Sequence, residues 1–180
     1  MRKLRKGFTL IELLVVIAIL AALSAAMAIS SSGAVASAKA ATIISNLQSI
    51  KTGALVFYND YREQSRDTEF TETSFNAVSN DYLDEATIKM INKDGRYALK
   101  MTTGSPKQWY VGYAMDATET DNEQVLKKLA ARADNVGLTG GGKASKSNGK
   151  YKFDTVPGNN NSAAITTGKT PSTAIWMRVR

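Results

Sequence analysis

The sequence predicts an α+β fold in which one long N-terminal helix packs, by its second half, on a small antiparallel β-sheet. Three observations lead to this fold class. Residues 8–29 form an almost wholly apolar run that is long enough for a membrane-spanning helix. The residues that follow, up to about 64, place apolar side chains at helical spacing. Segments beyond residue 95 alternate in polarity and are rich in β-forming residues.

A single helix is expected from about residue 8 to about residue 64. Its first half is apolar on all sides, and its second half has one apolar face. Residues 30–33, three serines and a glycine, join the halves; they are weak helix formers. The join is therefore either a flexible point or part of a continuous helix. The apolar face is formed by Leu47, Ile50, Ala54, Tyr58 and Tyr61 and is widened by Ile43, Ile44 and Leu55.

The rest of the chain is interpreted as short elements of one small domain. A helix is expected over 121–134, with Thr120 as its N-cap, Glu123 at the capping-box position and Gly137 near its end. The other predictions are helical or looped pieces at 74–79 and 84–91, strands at 95–101, 108–115, 151–156 and 174–180, turns at 103–106 and 157–161, and a flexible loop at 139–150.

The composition narrows the chemistry that the chain can perform. The 180 residues include no cysteine and no histidine, which excludes disulfides, thiolate metal sites and triads of the Ser-His-Asp type. We find no catalytic constellation and expect neither enzymatic activity nor a cofactor. The formal net charge is +7, and four cations precede Phe8, so the chain from Phe8 onward carries 7 − 4 = +3.

One charge interrupts the apolar run. Glu12 lies near the start of the run, where a carboxylate is costly in lipid and is therefore a functional candidate. Four cations and then Gly7 come directly before the run, and such a basic segment keeps that end of a membrane helix in the cytoplasm. The stretch from Lys6 to Glu12 resembles the processing site of type IV prepilins, a signal that the pseudopilins of type II secretion share.

The resemblance implies a lollipop-shaped pilin fold and a structural role. A prepilin peptidase would remove the leader, residues 1–7, by cutting between Gly7 and Phe8, and Phe8 would then be N-methylated. The hydrophobic helix, 8–32, would wait in the inner membrane. An assembly platform and ATPases on other chains would then move the subunit into a homo-oligomeric filament at the cell surface. There Glu12 would pair with the Phe8 ammonium of a neighbouring subunit.

In this scheme residues 33–65 are the amphipathic half of the helix and residues 66–180 are the globular head. The filament would serve adhesion, motility or uptake. Pilins usually carry a proline near position 29, and this chain has none there, so a periplasmic pseudopilin of type II secretion stays an alternative. Small residues at 26–28 and 34–36 also fit an ordinary secretory signal, although the apolar run is longer than such signals use. A membrane-anchored binding protein that never assembles is a further alternative, and for it Glu12 would be dispensable.

Four acids of the head are candidates for calcium binding, because carboxylate oxygens are the ligands that Ca²⁺ prefers. Their spacing fits no known calcium loop, and acids that open a helix are also explained by its dipole. The candidates are Asp116, Glu119, Asp121 and Glu123. The glycines at 140–142 before Lys143 lack the spacing of a phosphate-binding loop.

Charge is distributed unevenly along the head. Residues 67–123 contain eleven acids and five bases, whereas residues 127–180 contain ten bases and two acids. Three interpretations stay open: a solvated surface, complementarity between neighbouring subunits, or contact of the basic half with nucleic acid or an anionic cell surface. A filament held together by charge should weaken in high salt.

Overall fold

The computed structural model describes residues 8–63, 81–102, 108–116, 119, 121–157, 163–167 and 172–179. The chain forms two compact units, one that ends at Val35 and one that begins at Ala36. The elements in chain order are α1 (Leu10–Glu63), α2 (Glu85–Asp94), β1 (Tyr97–Met101), β2 (Trp109–Ala114), α3 (Asn122–Ala130), α4 (Ala133–Val136), β3 (Leu138–Thr139), β4 (Lys143–Ser147), β5 (Lys150–Thr155) and β6 (Ala174–Arg178).

Helix α1 confirms the long helix that the sequence predicts, and it is continuous through residues 30–33. In the first unit, residues 8–27 are all exposed, including Phe8 at 90% and Leu10 at 82%. By length and composition, Leu10–Met27 is long and apolar enough to cross a membrane. Such an apolar surface needs a cover of lipid or of other apolar helices, because water would hydrate it unfavourably.

The second unit is built around a four-stranded antiparallel sheet with strand order β1-β2-β6-β3. The amphipathic half of α1 packs on one face of this sheet, as the sequence predicts. Asn46 Nδ2 donates a hydrogen bond to the Tyr97 hydroxyl at 2.9 Å, and the Tyr58 ring meets Trp109 edge-on at 5.3 Å. The shared core includes the fully buried Leu47, Ile50 and Ala54 of α1, and Val111, Ile175 and Met177 of the sheet.

A β-hairpin formed by β4 and β5 lies on the other face of the sheet. Its side chains Tyr151 and Phe153 pack with Tyr110 and Trp176 in a second core. All six residues of β2 are therefore buried, since this strand is covered on both faces. A near-continuous apolar run is the expected pattern of such a strand.

This hairpin corrects the prediction of a flexible loop over residues 139–150. The range contains Thr139 of β3, all of β4 and the first residue of β5, and β4 pairs with β5 from Lys143 to Ser147. The turn residues Asn148 and Gly149 have φ values of 51° and 77°. An Asn-Gly pair with two positive φ angles matches the twist of a two-residue hairpin, and this local signal outweighed the low β propensity of β4.

Two further predictions about topology were wrong in part. The predicted strands 151–156 and 174–180 do form, but β5 and β6 belong to different sheets and are not paired. The helix expected over 121–134 is split into α3 and α4, with Gly137 at the left-handed C-cap of α4. The N-cap of α3 is Asp121, without a side-chain capping bond, and Glu123 pairs with Lys127.

Helix α2 confirms the helical piece predicted near 84–91. Its N-cap is Asp84, whose side chain accepts a hydrogen bond from the Thr87 amide at 3.0 Å, and its C-cap is Gly95 with φ of 71°. Glycine suits this C-cap because the left-handed backbone carries no β-carbon penalty there. The predictions for 74–79, 103–106 and Thr120, and most of 157–161, lie outside the described residues.

Candidate functional site

The first turn of α1 contains a reciprocal set of hydrogen bonds between Thr9 and Glu12. The Thr9 amide and hydroxyl both donate to Glu12 Oε2 at 2.8 Å, and the Glu12 amide donates to Thr9 Oγ1 at 3.3 Å. This is a capping box, in which an N-cap threonine and the glutamate three residues later satisfy each other's orphan amides. Thr9 is thus the helix N-cap, and Glu12 takes part in starting the helix.

The capping box gives Glu12 local partners at the edge of an apolar surface. Its carboxylate lies near the positive end of the helix dipole, where a negative charge is favourable. Both bonds from Thr9 end on Oε2. Of the other predicted site residues, Phe8 is exposed beside the box, and Gly7 lies outside the described residues.

The sequence analysis identified Glu12 but did not pair it with Thr9. The signal that links the two residues is the spacing Thr-x-x-Glu directly before an apolar run, which is the signature of a capping box. A threonine alone indicates only a helix-capping hydroxyl. The glutamate at the third position is what makes the pattern specific.

In the part of the chain that the structure describes, each of the four calcium candidates pairs with a different cation. Asp116 accepts hydrogen bonds from the Tyr151 hydroxyl at 2.6 Å and from Lys146 Nζ at 3.2 Å. The other three carboxylates pair with separate cations, which are Arg96 for Glu119, Lys39 for Asp121 and Lys127 for Glu123. Among the described residues, no three Asp or Glu side chains are grouped so that they could hold a metal ion.

Arg96 is the centre of a polar network that joins the sheet to the hairpin. Its guanidinium contacts Asp94 at 2.9 Å, Glu119 and the Tyr113 hydroxyl at 3.2 Å, and lies 4.9 Å from the centre of the Tyr151 ring. The hydrogen bond to Glu119 raises the pKa of Arg96, although burial opposes this. We call this set, together with Asp116 and Lys146, the Arg96 network.

Tyr151 and Lys146 connect the Arg96 network to the hairpin. Burial, followed by the hydrogen bond to Asp116, raises the pKa of the Tyr151 hydroxyl. The Asp116 carboxylate also raises the pKa of Lys146. Because the chain has no disulfide, these contacts and the Phe153–Trp176 ring contact at 5.1 Å hold the hairpin on the sheet.

Residues 2–28 match the family model described as the prokaryotic N-terminal methylation motif. No curated protein and no solved structure matches the chain. The matched segment covers the basic residues, Gly7, Phe8, the capping box and the apolar part of α1. Proteins with this motif are in general structural rather than enzymatic, are processed by a prepilin peptidase and enter the membrane as precursors. The N-terminal segment thus carries the methylation motif of the type IV pilin and pseudopilin class.

Proposed function

We propose that this chain is the precursor of a type IV pilus subunit that assembles into a helical filament for adhesion, motility or uptake. The observation that carries the proposal is the single carboxylate of Glu12 at the start of an apolar helix that is wholly exposed from residue 8 to residue 27. In a filament, neighbouring copies of this helix would cover one another and remove that surface from water.

Processing creates the partner that Glu12 requires. Cleavage between Gly7 and Phe8 leaves a new ammonium on Phe8, four residues before the carboxylate. N-methylation of that amine keeps its positive charge. Since the Thr9 bonds use Oε2, Oε1 is available to accept from the Phe8 ammonium of the next subunit.

The pair sets the axial position of one subunit against the next. At a separation of about 4 Å and an effective dielectric constant near 20, it contributes about 4 kcal/mol before desolvation. A subunit in the wrong register would bury the carboxylate without a cation, which is strongly unfavourable. The charge therefore selects one register on an apolar helix that would otherwise allow several.

The test compares filaments sheared from cells that express the parent chain, Glu12→Ala or Glu12→Gln. Electron microscopy measures filament yield, and intact mass with N-terminal sequencing reports processing. We expect the parent chain to start at methylated Phe8 and to form long filaments. Both variants should be processed but yield few filaments, because the amide of glutamine carries no charge.

Ser24→Ala is the matched control. Ser24 is also polar within the apolar part of α1, but its hydroxyl bonds to the Leu20 carbonyl at 2.8 Å within the same helix. Its loss should leave the filament yield unchanged. A parent chain that still starts at Met1, or that starts beyond residue 28, would contradict the proposal.

The cellular location of the processed subunit distinguishes the pilus subunit from the two alternative functions. Processed subunits that stay in the periplasm and support protein secretion would identify a pseudopilin. Filament-free cells in which Glu12→Ala changes nothing would indicate an anchored binding protein that does not assemble.

A further inference from the structure

The outer side of the β4–β5 hairpin carries a row of exposed lysines. Along β5, Tyr151 and Phe153 point into the second core, and the exposed Lys150 and Lys152 alternate with them. The cross-strand partners of these lysines are serines of β4, so lysines and serines share one side. We define the basic face as Lys143, Lys150 and Lys152.

Contacts between the hairpin and the sheet hold the basic face in place. The Arg96 network and the Phe153–Trp176 contact fix the hairpin on the sheet, which limits the freedom of the lysine backbones. No ion pair of Lys143, Lys150 or Lys152 occurs within the part of the chain that the structure describes. Asp154 is an exposed acid of the same strand, so the three lysines leave a positive excess there.

A groove lies on the side of α1 that faces solvent. An open groove of 580 Å³ runs between this helix and residues 81–84. Leu83 and Tyr82 form its wall: a β-carbon at Gly53 would lie 2.9 Å from the Tyr82 carbonyl oxygen, and Tyr82 meets Phe57 edge-on at 5.4 Å. We define the acidic groove as Ser45, Gln48, Ser49 and Thr52 of α1 with Asp81 and Asp84.

The two features lie on opposite sides of the second unit. The groove residues of α1 are exposed and alternate with the buried row of Ile43, Leu47 and Ile50, which contacts the sheet. The groove therefore faces away from the sheet on the α1 side. The basic face also points away from the sheet, but on the hairpin side. The order through the unit is acidic groove, α1, sheet, hairpin and basic face.

We infer that the basic face of one subunit docks in the acidic groove of the next copy of this chain. The inference rests on the filament proposed above and names one of its contacts. Opposite charges face each other in this arrangement, which favours it over contact of like faces. Two different patches on opposite sides make a head-to-tail contact, and such contacts generate open helical polymers rather than closed dimers.

The contact fixes orientation more than it supplies stability. Exposed ion pairs are individually weak and are screened by salt. The apolar helices would hold the subunits together, and the head contact would set their rotation about the filament axis. High salt should therefore loosen the heads before it dissolves the filament.

Cysteine cross-linking is the direct test, because the chain has no cysteine of its own. Ser145 on the hairpin and Ser49 in the groove are exposed, so serine-to-cysteine replacement at both is nearly isosteric. Purified filaments of the double variant Ser145→Cys/Ser49→Cys, treated with a bifunctional maleimide, should give a ladder of dimers, trimers and longer chains. Each single variant should stay monomeric.

The outcomes separate this inference from the proposed function. Filaments of the double variant that give no ladder would overturn the docking contact alone. Dimers from Ser145→Cys alone would overturn it as well, since they would show like faces in contact. A parent chain that forms no filaments at all would overturn the proposed function, and the docking contact with it.

Charge reversal gives an independent readout. Lys150→Glu/Lys152→Glu should lower the sheared filament yield several-fold, and so should Asp81→Lys. A chain with all three changes should recover most of the yield, because the complementary pair is restored with its signs exchanged. Lys128→Glu, an exposed reversal on α3, is the control that should change little. Normal filament yield from the hairpin variant, together with loss of duplex DNA binding, would instead assign the lysines to nucleic acid and overturn the inference.

Discussion

Gly112 leaves the space that the Trp176 ring occupies, so Gly112→Ala should destabilise the second unit sharply. A β-carbon at Gly112 would lie 2.5, 2.7 and 2.9 Å from three carbons of the indole ring. The ring has little room to move: Trp176 is fully buried, its Nε1 donates to the Gly141 carbonyl at 2.8 Å, and Phe153 packs against it. Either the ring or strand β2 must therefore shift.

Overpacking of this kind costs about 1–3 kcal/mol. For a chain of this size that loss corresponds to a fall in Tm of about 2–12 °C. The assay is thermal unfolding of the full chain in detergent, followed by near-ultraviolet circular dichroism, which reports the buried tryptophans. Adding Trp176→Leu to Gly112→Ala should cost less than the two single changes summed, because the smaller side chain relieves the clash.

Gly33→Ala is the matched glycine control. Gly33 lies inside α1, and a β-carbon there would meet no atom within 4 Å. Alanine should raise the stability of the helix by about 1 kcal/mol, since it lowers the entropy lost on folding. Equal Tm values for Gly112→Ala and the parent chain would refute the packing argument.

Three further predictions concern the second unit. Leu47→Ala should lower the free energy of unfolding, measured in denaturant, by about 2–5 kcal/mol, because Leu47 is fully buried. Gln48→Ala, at the exposed neighbouring residue, should change it little, and equal losses would contradict the assigned core. Burial raises the pKa of Tyr97 to about 12. The neutral Tyr97 hydroxyl therefore makes its full contribution to the stability of the fold below about pH 10, and this contribution is lost as the pH rises toward 12. In Tyr97→Phe, the midpoint of unfolding should fall less between about pH 10 and pH 12 than in the parent chain. The same pH dependence in both chains would contradict the assignment to Tyr97. Arg96→Ala should speed hydrogen exchange of β4 and β5 amides more than of β2 amides, and uniform acceleration would disprove a role specific to the hairpin.

The sequence was informative where one periodic pattern decided the structure. The apolar face of α1 was predictable because Leu47, Ile50 and Ala54 recur at helical spacing and nothing in the segment competes with a helix. The N-terminal motif was predictable for a similar reason, since an isolated carboxylate in an apolar run has few structural explanations. The strands β1, β2, β5 and β6 followed from alternation and β-forming residues.

The remaining features depend on a specific turn or on contacts between distant segments, and not on one periodic pattern. Strand β4 consists of lysine, alanine and serine and has little β propensity, so only the Asn148–Gly149 turn and its pairing with β5 reveal it. The separation of β5 from β6 results from tertiary packing of Phe153 on Trp176, which no local pattern encodes. The Arg96 network joins residues as distant in sequence as Arg96 and Tyr151, which are 55 positions apart, and sequence spacing alone does not bring them together.

The capping box also has a consequence for proteolysis. Because Thr9 is the N-cap, helix α1 begins at Leu10, and Phe8 stands outside the helix. Under the proposed function, the bond to be cut ends at Phe8, so on that side of the bond a peptidase would not need to unwind α1. Proteases act on extended backbone, and a helix that ran further toward the N-terminus would resist them. The same two residues that start the helix thus also keep Phe8, the residue after the proposed cut, outside it.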